Sequence, residues 1–222
     1  MFKQHLTVSD YFIILANLIP LYGVIFMDWN AGSMFIVYCL ETVIIGIFNV
    51  LKMIIVTVLV RTPDENVSFG TGRNINALFL IPFFIFHYGL FVFIQTQMFF
   101  HVSNILNDDR FITSYSEVIE QMGPEGKMVL LIFVISYSLQ TFYSFGFSGQ
   151  YKTIGISRLM FQPYARIFVQ QFVVIIGSIF MSLGAGKVFM LVFIALKIMF
   201  EVYINFDRHL LLAEEKARRK II

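Results

Sequence analysis

The chain has 222 residues, of which 58% are hydrophobic and only 14% are charged. A soluble domain usually has about 25% charged residues, so this composition excludes a soluble enzyme, a disordered chain and a free nucleic-acid-binding domain. The single cysteine, Cys39, excludes a disulfide framework and a cysteine-based zinc site. The net charge of +2 identifies no partner, but the positions of the charges along the chain are informative.

Six stretches are long and apolar enough to cross a bilayer, which takes about 20 residues of helix. They are predicted at about 10–27, 31–60, 76–100, 127–147, 166–183 and 187–206. The fifth and sixth are separated at Gly184-Ala185-Gly186-Lys187, because without that break the stretch would be about twice as long as one span. The predicted fold class is therefore all-α: a polytopic integral membrane protein that forms a six-helix transmembrane bundle as one domain over residues 1–222.

The lysines and arginines outside the spans predict the orientation, since cytoplasmic loops carry an excess of them. Eleven of these residues fall on the side of the termini and three on the other side. Both termini are therefore expected to be cytoplasmic, which agrees with an even number of spans. The opposite side collects acidic residues, namely Asp28, Asp108, Asp109, Glu117, Glu120 and Glu125.

A short helix is predicted in the connection between spans three and four. Apolar residues recur there at helical spacing from Phe111 to Met122, which is typical of an amphipathic helix in the outer interface. Gly123-Pro124 is expected to end it. The simpler interpretation is that this helix caps the bundle, and a lid or a partner-docking element is the alternative.

Two polar segments are predicted on the cytoplasmic side. The loop over residues 62–74 contains one proline and two glycines, and we expect it to be irregular. Residues 207–222 form a basic cytoplasmic tail, whose charges fix the topology and could meet anionic headgroups.

Three ionisable residues on three different spans are predicted near the middle of the membrane. At about 1.5 Å per residue, Glu41 and Lys197 lie about 15 Å from the outer starts of spans two and six. By the same measure His87 lies about 16 Å from the inner start of span three. An isolated charge at such a depth is costly. We therefore expect Glu41 and Lys197 to form a buried ion pair, with His87 at or near it.

A second polar layer is predicted between this cluster and the cytoplasmic side. Its members are Asn49, Lys52, Gln170, Gln171 and Glu201. Together the two layers could form a polar path, but buried polar groups in membrane proteins often only hold helices together. Structural and functional roles of Glu41 and Lys197 therefore stay equally open, and the amine of Lys52 is long enough to snorkel to the inner interface.

The sequence predicts neither a metal site nor a bound cofactor. No span contains a His-x-x-x-His pattern or a pair of carboxylates at ligand spacing. The 27 phenylalanines are expected to face lipid or the core, because they form no recognisable cofactor motif. No catalytic residue is assigned.

Several short motifs resemble a family of small multi-pass bacterial membrane proteins of unknown function. They are Trp29-Asn30-Ala31-Gly32, Tyr38-Cys39-Leu40-Glu41, Asn49-Val50-Leu51-Lys52 and His87-Tyr88-Gly89. The resemblance implies a bacterial inner-membrane location and no particular activity. It points to the polar residues that the depth argument selects, namely Glu41, Asn49, Lys52, His87 and Lys197.

Three functions are compatible with these features. The first is a structural or accessory subunit of a membrane complex, which would contact the lipid bilayer and partner membrane subunits or further copies of itself, and no nucleic acid. The second is a transporter or proton-linked channel that uses the Glu41, His87 and Lys197 layer. The third is a membrane-embedded enzyme acting on lipid or peptide, with His87 as acid or base and Glu41 orienting it.

Overall fold

The computed structural model describes residues 8–60, 66–69, 73–102, 112–152, 154–164, 167, 176, 179–180 and 183–198. Its helices are α1 (Val8–Phe26), α2 (Ala31–Leu59), α3 (Ala77–Val102), α4 (Tyr115–Gln121), α5 (Gly123–Gln140), α6 (Ile156–Phe161) and α7 (Gly186–Ile198). A π-helical turn (Thr141–Phe147) continues α5, and a 3-10 turn (Gln150–Lys152) follows it. Two short strands, β1 (Asn66–Phe69) and β2 (Arg73–Asn76), lie between α2 and α3. The predicted helical class is confirmed.

Three helical segments of the described residues are long and apolar enough to cross a membrane. They are Ala31–Leu59, Phe79–Phe100 and Gly123–Phe147. These segments coincide with the predicted second, third and fourth spans and indicate a membrane protein. Helix α1 coincides with the predicted first span and α7 with the start of the sixth. Most of the predicted fifth span lies outside the described residues, so the count of six stays a prediction.

The connection between α2 and α3 differs from its expected irregular form. Strands β1 and β2 pair antiparallel, with Asn66 opposite Asn76 and Phe69 opposite Arg73. The pairing places Val67 opposite Ile75, and such β-branched residues favour strands. Three residues including two glycines separate the strands, which is a hairpin spacing that the expectation of an irregular loop overlooked.

The predicted break before the last helix is confirmed at Gly184. This glycine adopts a φ of 71°, a left-handed conformation that favours glycine at the end of a helix. The amide of Ala185 donates to the carbonyl of Phe180 over 2.9 Å, which is the hydrogen bond of a Schellman ending. The chain then starts α7 at Gly186.

An ion pair joins the start of α7 to the turn between α1 and α2. Lys187 Nζ lies 2.7 Å from Asp28 Oδ1. The ammonium donates to this carboxylate and adds a nearby positive charge, which together hold the pKa of Asp28 below its ordinary value. Both side chains are exposed, so the pair contributes little to stability. The contact nevertheless shows that both connections lie at the same end of the bundle, which we call the outer end.

The connection after α3 is fastened to α3 by two polar side chains. The amide group of Gln97 donates to the carbonyl of Thr113 and accepts from its N–H, over 3.0 and 2.7 Å. The hydroxyl of the preceding residue, Thr96, shares a hydrogen bond with the hydroxyl of Tyr115. Helix α4 then begins, as the spacing predicts, and buries Val118 against the bundle. This packing fits the simpler interpretation, in which α4 caps the outer end.

The buried apolar side chains form two clusters, one towards each end of the bundle. The outer cluster includes Phe35, Tyr38, Phe99, Val118, Phe133 and Phe193. The inner cluster includes Met53, Phe84, Tyr88, Phe145, Ile156 and Leu159. Helices α2 and α3 contribute to both clusters, so they are the central helices of the bundle. They carry the polar residues described below.

Candidate functional site

Glu41 lies on α2 inside the outer half of the bundle. Its side chain is only 3% exposed, and Tyr137 of α5 donates a hydrogen bond to its Oε1 over 2.8 Å. Aromatic side chains surround this contact: Tyr137 stacks on Phe48, and Tyr38, one turn before Glu41, packs against Phe133. The hydrogen bond therefore joins α2 to α5 in an apolar setting, where it is stronger than in water.

His87 lies on α3 and has a different tyrosine partner. Its Nδ1 is 2.8 Å from the hydroxyl of Tyr164, a residue that follows α6. The imidazole stacks on Phe83 and also contacts Phe91, so the rings form a row along one face of α3. His87 is half-buried, in contrast to the fully buried Glu41.

The structure describes only part of the predicted Glu41, His87 and Lys197 cluster. Lys197 belongs to α7, but its side chain lies outside the described part of the chain. Gln170, Gln171 and Glu201, predicted for the second layer, also lie outside the described residues. The convergence of the three ionisable groups therefore stays a prediction, while the tyrosine partners of Glu41 and His87 are new findings.

Asn49, predicted for the second layer, completes the hydrogen bonding of α6. In a helix the carbonyl of Leu159 would accept from the residue four positions later, but that residue is Pro163, which has no N–H. The side-chain amide of Asn49 donates to the Leu159 carbonyl instead, over 2.6 Å. Both residues are buried, so this bond satisfies a carbonyl that would otherwise be unpaired away from water.

Lys52 lies one turn beyond Asn49 on α2 and is half-buried. Its Nζ is 5.7 Å from the centre of the Phe145 ring, in a cation–π arrangement. Phe145 belongs to the π-helical turn and in turn contacts Tyr151. Lys52 therefore joins α2 to the chain that follows α5.

The segment after the π-helical turn returns into the bundle. The prediction treats residues 148–165 as a cytoplasmic connection, yet Leu159 reaches Asn49, which lies ten residues, or about 15 Å, before the inner end of α2. Ile154, Ile156 and Leu159 are all buried in the inner cluster. The segment therefore packs against α2 and contributes to the inner cluster.

Gly46 of α2 lies directly against the ring of Tyr88 of α3. A Cβ atom at this position would collide with the ring of Tyr88. The Tyr88 hydroxyl donates to the carbonyl of Thr42 over 2.8 Å and fixes the ring in this place. At this position Tyr88, rather than its neighbour His87, packs against α2.

The sequence contained a signal for Tyr137 that the charge-based search did not use. Tyr137 lies ten residues into the predicted fourth span, about 15 Å from its outer start, which is the depth calculated for Glu41. Their equal depth predicts that the Tyr137 hydroxyl and the Glu41 carboxyl group lie close together. Tyr164 had no such signal, because the prediction placed it in a connection at the membrane surface.

The described residues offer few other candidates for chemistry. Among them, no group of three or more histidine, cysteine, aspartate or glutamate side chains could hold a metal ion. Within the same residues, Gln95 Nε2 and Thr141 Oγ1 are buried without a hydrogen-bond partner. Glu41, His87 and Asn49 are the predicted site residues for which the structure shows side-chain hydrogen bonds.

Residues 1–220 of the chain match a family of unknown function, DUF6498. The match covers nearly the whole chain and confirms the family resemblance that the motifs suggest. No curated protein and no solved structure matches the chain significantly.

Proposed function

Because the chain belongs to the family of unknown function DUF6498, its role has to be argued from its own residues, and we propose that it is a structural or accessory subunit of a membrane complex. The observation that carries this proposal is the hydrogen bond between Tyr137 and Glu41 inside an aromatic core. A carboxylate that serves only to hold helices together needs a donor and dry surroundings. Glu41 has such a donor in Tyr137, and its burial among aromatic side chains supports the proposal.

Other polar contacts of the bundle support the same role. Asn49 joins α2 to α6, the Tyr88 hydroxyl joins α3 to α2, and the Gln97 amide joins α3 to the chain before α4. The first two contacts join residues 110 and 46 positions apart, and the third joins α3 to the connection that follows it. A chain whose polar groups are used in this way is suited to hold a fixed shape within a larger membrane assembly.

The Glu41 and Tyr137 pair can be tested by a double-mutant cycle in detergent. Tyr137→Phe leaves the carboxylate without this donor, so we expect the free energy of unfolding to fall by about 1–3 kcal/mol. In the Glu41→Leu background Tyr137→Phe removes no donor from a carboxylate, so we expect it to cost little there, and the cycle gives the coupling free energy of the pair. Unfolding by denaturant titration, followed by tyrosine and tryptophan fluorescence, measures the four free energies.

Tyr143→Phe is the matched control for this cycle, because Tyr143 continues the same helix and is 67% exposed. It should leave the stability unchanged. In native membranes the wild-type chain should migrate in blue native gels within a complex larger than a dimer. Unchanged stability of Tyr137→Phe, together with migration of the chain alone, would contradict the structural role.

A transporter or proton-linked channel is the second candidate, and the packing of α7 favours it. Phe193 of α7 contacts Phe35 and Tyr38 of α2, and both helices start at the outer end. Lys197 follows Phe193 by one helical turn, and Glu41 follows Tyr38 by about one turn. This register supports the predicted ion pair between Glu41 and Lys197. Proton flux into proteoliposomes that is lost in Glu41→Gln, without a loss of stability, would favour this candidate over the first.

We further propose that the chain forms six spans in a bacterial inner membrane, with both termini in the cytoplasm. Three apolar helices and the charge bias of the connections support this arrangement. The contact between Asp28 and Lys187 also fits, since two connections that share one side must be separated by an even number of spans.

Cysteine labelling tests this topology, because the single native cysteine, Cys39, is buried. In intact cells a membrane-impermeant maleimide should label Glu120→Cys on α4, which is exposed at the outer end. Arg219→Cys in the tail should be labelled only after the cells are permeabilised. The unmodified chain provides the background, and labelling of Arg219→Cys in intact cells would overturn the proposed orientation.

A further inference from the structure

We propose that His87, Phe83 and Phe91 form a binding site for a quinone, a lipid-soluble ring compound that carries carbonyl groups. The site goes beyond a structural role, since it predicts a small-molecule ligand that enters from the bilayer. It is carried by the surroundings of one histidine and by its depth in the membrane.

The rings of the site form a continuous row on α3. The Phe83 and His87 rings are nearly parallel, with centres 5.3 Å apart and an interplanar angle of 12°. The Phe91 ring lies 5.1 Å from His87 on the other side. Phe83 and Phe91 are 39% and 51% exposed, so the row is open to the bilayer rather than enclosed in the core. A flat ring can therefore stack on these residues without any rearrangement of the bundle.

The two nitrogens of the imidazole differ in their contacts with the described residues. Nδ1 is engaged by the hydroxyl of Tyr164, and Nε2 has no hydrogen-bond partner among the described residues. When the tyrosine hydroxyl donates to Nδ1, the ring proton of the neutral imidazole lies on Nε2. In that tautomer His87 presents a hydrogen-bond donor, and Tyr164 is the positioning residue that stabilises it.

The depth of His87 restricts what can accept this hydrogen bond. His87 lies eight residues from Phe79 and thirteen from Phe100, which places it about 12 Å and 20 Å from the two ends of the span. The acyl chains at this depth offer no acceptor, and an unsatisfied polar group there is costly. A quinone combines a carbonyl acceptor with a flat apolar ring and dissolves in the bilayer, so it satisfies both the nitrogen and the aromatic row.

Decylubiquinone is a suitable probe, titrated into the full chain in phosphatidylcholine nanodiscs. We expect saturable binding and a shift of the His87 Nε2 resonance in nitrogen NMR of histidine-labelled protein. His87→Phe keeps a ring in the row but removes the donor, and we expect binding about ten-fold weaker. Tyr164→Phe should weaken binding by a smaller factor, because the donor remains but its tautomer is no longer fixed.

His209→Phe, the same substitution in the basic tail, is the matched control and should bind as the wild type does. A decyl-dimethoxybenzene has the ring and chain but no carbonyl groups. We expect the wild-type chain to bind it no more tightly than His87→Phe binds decylubiquinone. Equal binding of both compounds, or unchanged binding by a well-folded His87→Phe, would overturn the site. A dimer in the nanodisc whose second copy covers the aromatic row, with no quinone binding, would overturn the site as well.

Discussion

Gly46→Ala is expected to lower the free energy of unfolding by about 2 kcal/mol, although alanine favours a helix more than glycine does. The added Cβ would collide with the ring of Tyr88, which is 4% exposed. The ring cannot move aside freely, because its hydroxyl is bonded to the Thr42 carbonyl and it also contacts Phe84 and Tyr164. Helices α2 and α3 must then separate or the hydroxyl must lose its acceptor.

Gly89→Ala is the matched control for this prediction, since Gly89 also lies inside a membrane-spanning helix. Nothing lies within 4 Å of a Cβ at that position, so the variant should gain about 0.5–1 kcal/mol from helix propensity. Denaturant titration of both variants in the same detergent measures the difference. If Gly46→Ala were as stable as Gly89→Ala, the close approach between α2 and α3 would not restrict the bundle.

Asn49→Leu is the second change with a large expected effect. Leucine has a similar size but donates no hydrogen bond, so the carbonyl of Leu159 would be left unpaired inside the bundle. An unsatisfied buried carbonyl costs about 1–3 kcal/mol. We expect the free energy of unfolding to fall by about 2 kcal/mol, and the segment around α6 to become accessible to amide hydrogen exchange.

A compensating change at Pro163 makes this prediction specific. Pro163→Ala introduces a backbone N–H four residues after Leu159, where it can donate to the carbonyl that Asn49 otherwise satisfies. In the Asn49→Leu background, Pro163→Ala should therefore recover at least half of the lost stability. In the wild-type background the same substitution should have little effect. If Pro163→Ala changed the stability equally in both backgrounds, the proposed link between proline and asparagine would be wrong.

The long helices could be predicted from the sequence because hydrophobic length is a local property. The predicted span at 31–60 corresponds to α2 at Ala31–Leu59, and the span at 76–100 to α3 at Ala77–Val102. The glycine at 184 marks the break before α7 in the same local way. Each of these features depends on neighbouring residues alone, so no tertiary contact was needed to find it.

The returning segment after α5 could not be predicted for the opposite reason. Its lysine, arginine, glycine and proline residues are typical of a connection at the membrane surface. It is held in the bundle by a contact between residues 110 positions apart, Asn49 and Leu159. Composition does not reveal such a contact. The position of Tyr164, which follows α6, could therefore not be predicted from composition either.

The partners of the polar residues could not be predicted from formal charge. Glu41 and His87 were selected as costly groups that need partners, and both do have hydrogen-bond partners. The described partners are hydroxyls of tyrosines, which composition assigns to the membrane interface or the core. A neutral hydroxyl can satisfy a buried carboxylate or imidazole, so a search for opposite charges alone leaves such pairs out.

The π-helical turn after α5 is the place where the span Gly123–Phe147 can lose a residue. The amide of Ser148 donates to the carbonyl of Tyr143, five residues earlier, so the turn accommodates one residue more than an α-helical turn. Phe133 before the turn is held in the outer cluster and Phe145 within it in the inner cluster. A one-residue deletion here is absorbed by tightening the turn, with both anchors kept. A deletion elsewhere in the span rotates every later side chain by about 100°, so we expect a one-residue deletion in this span to be tolerated best at the turn.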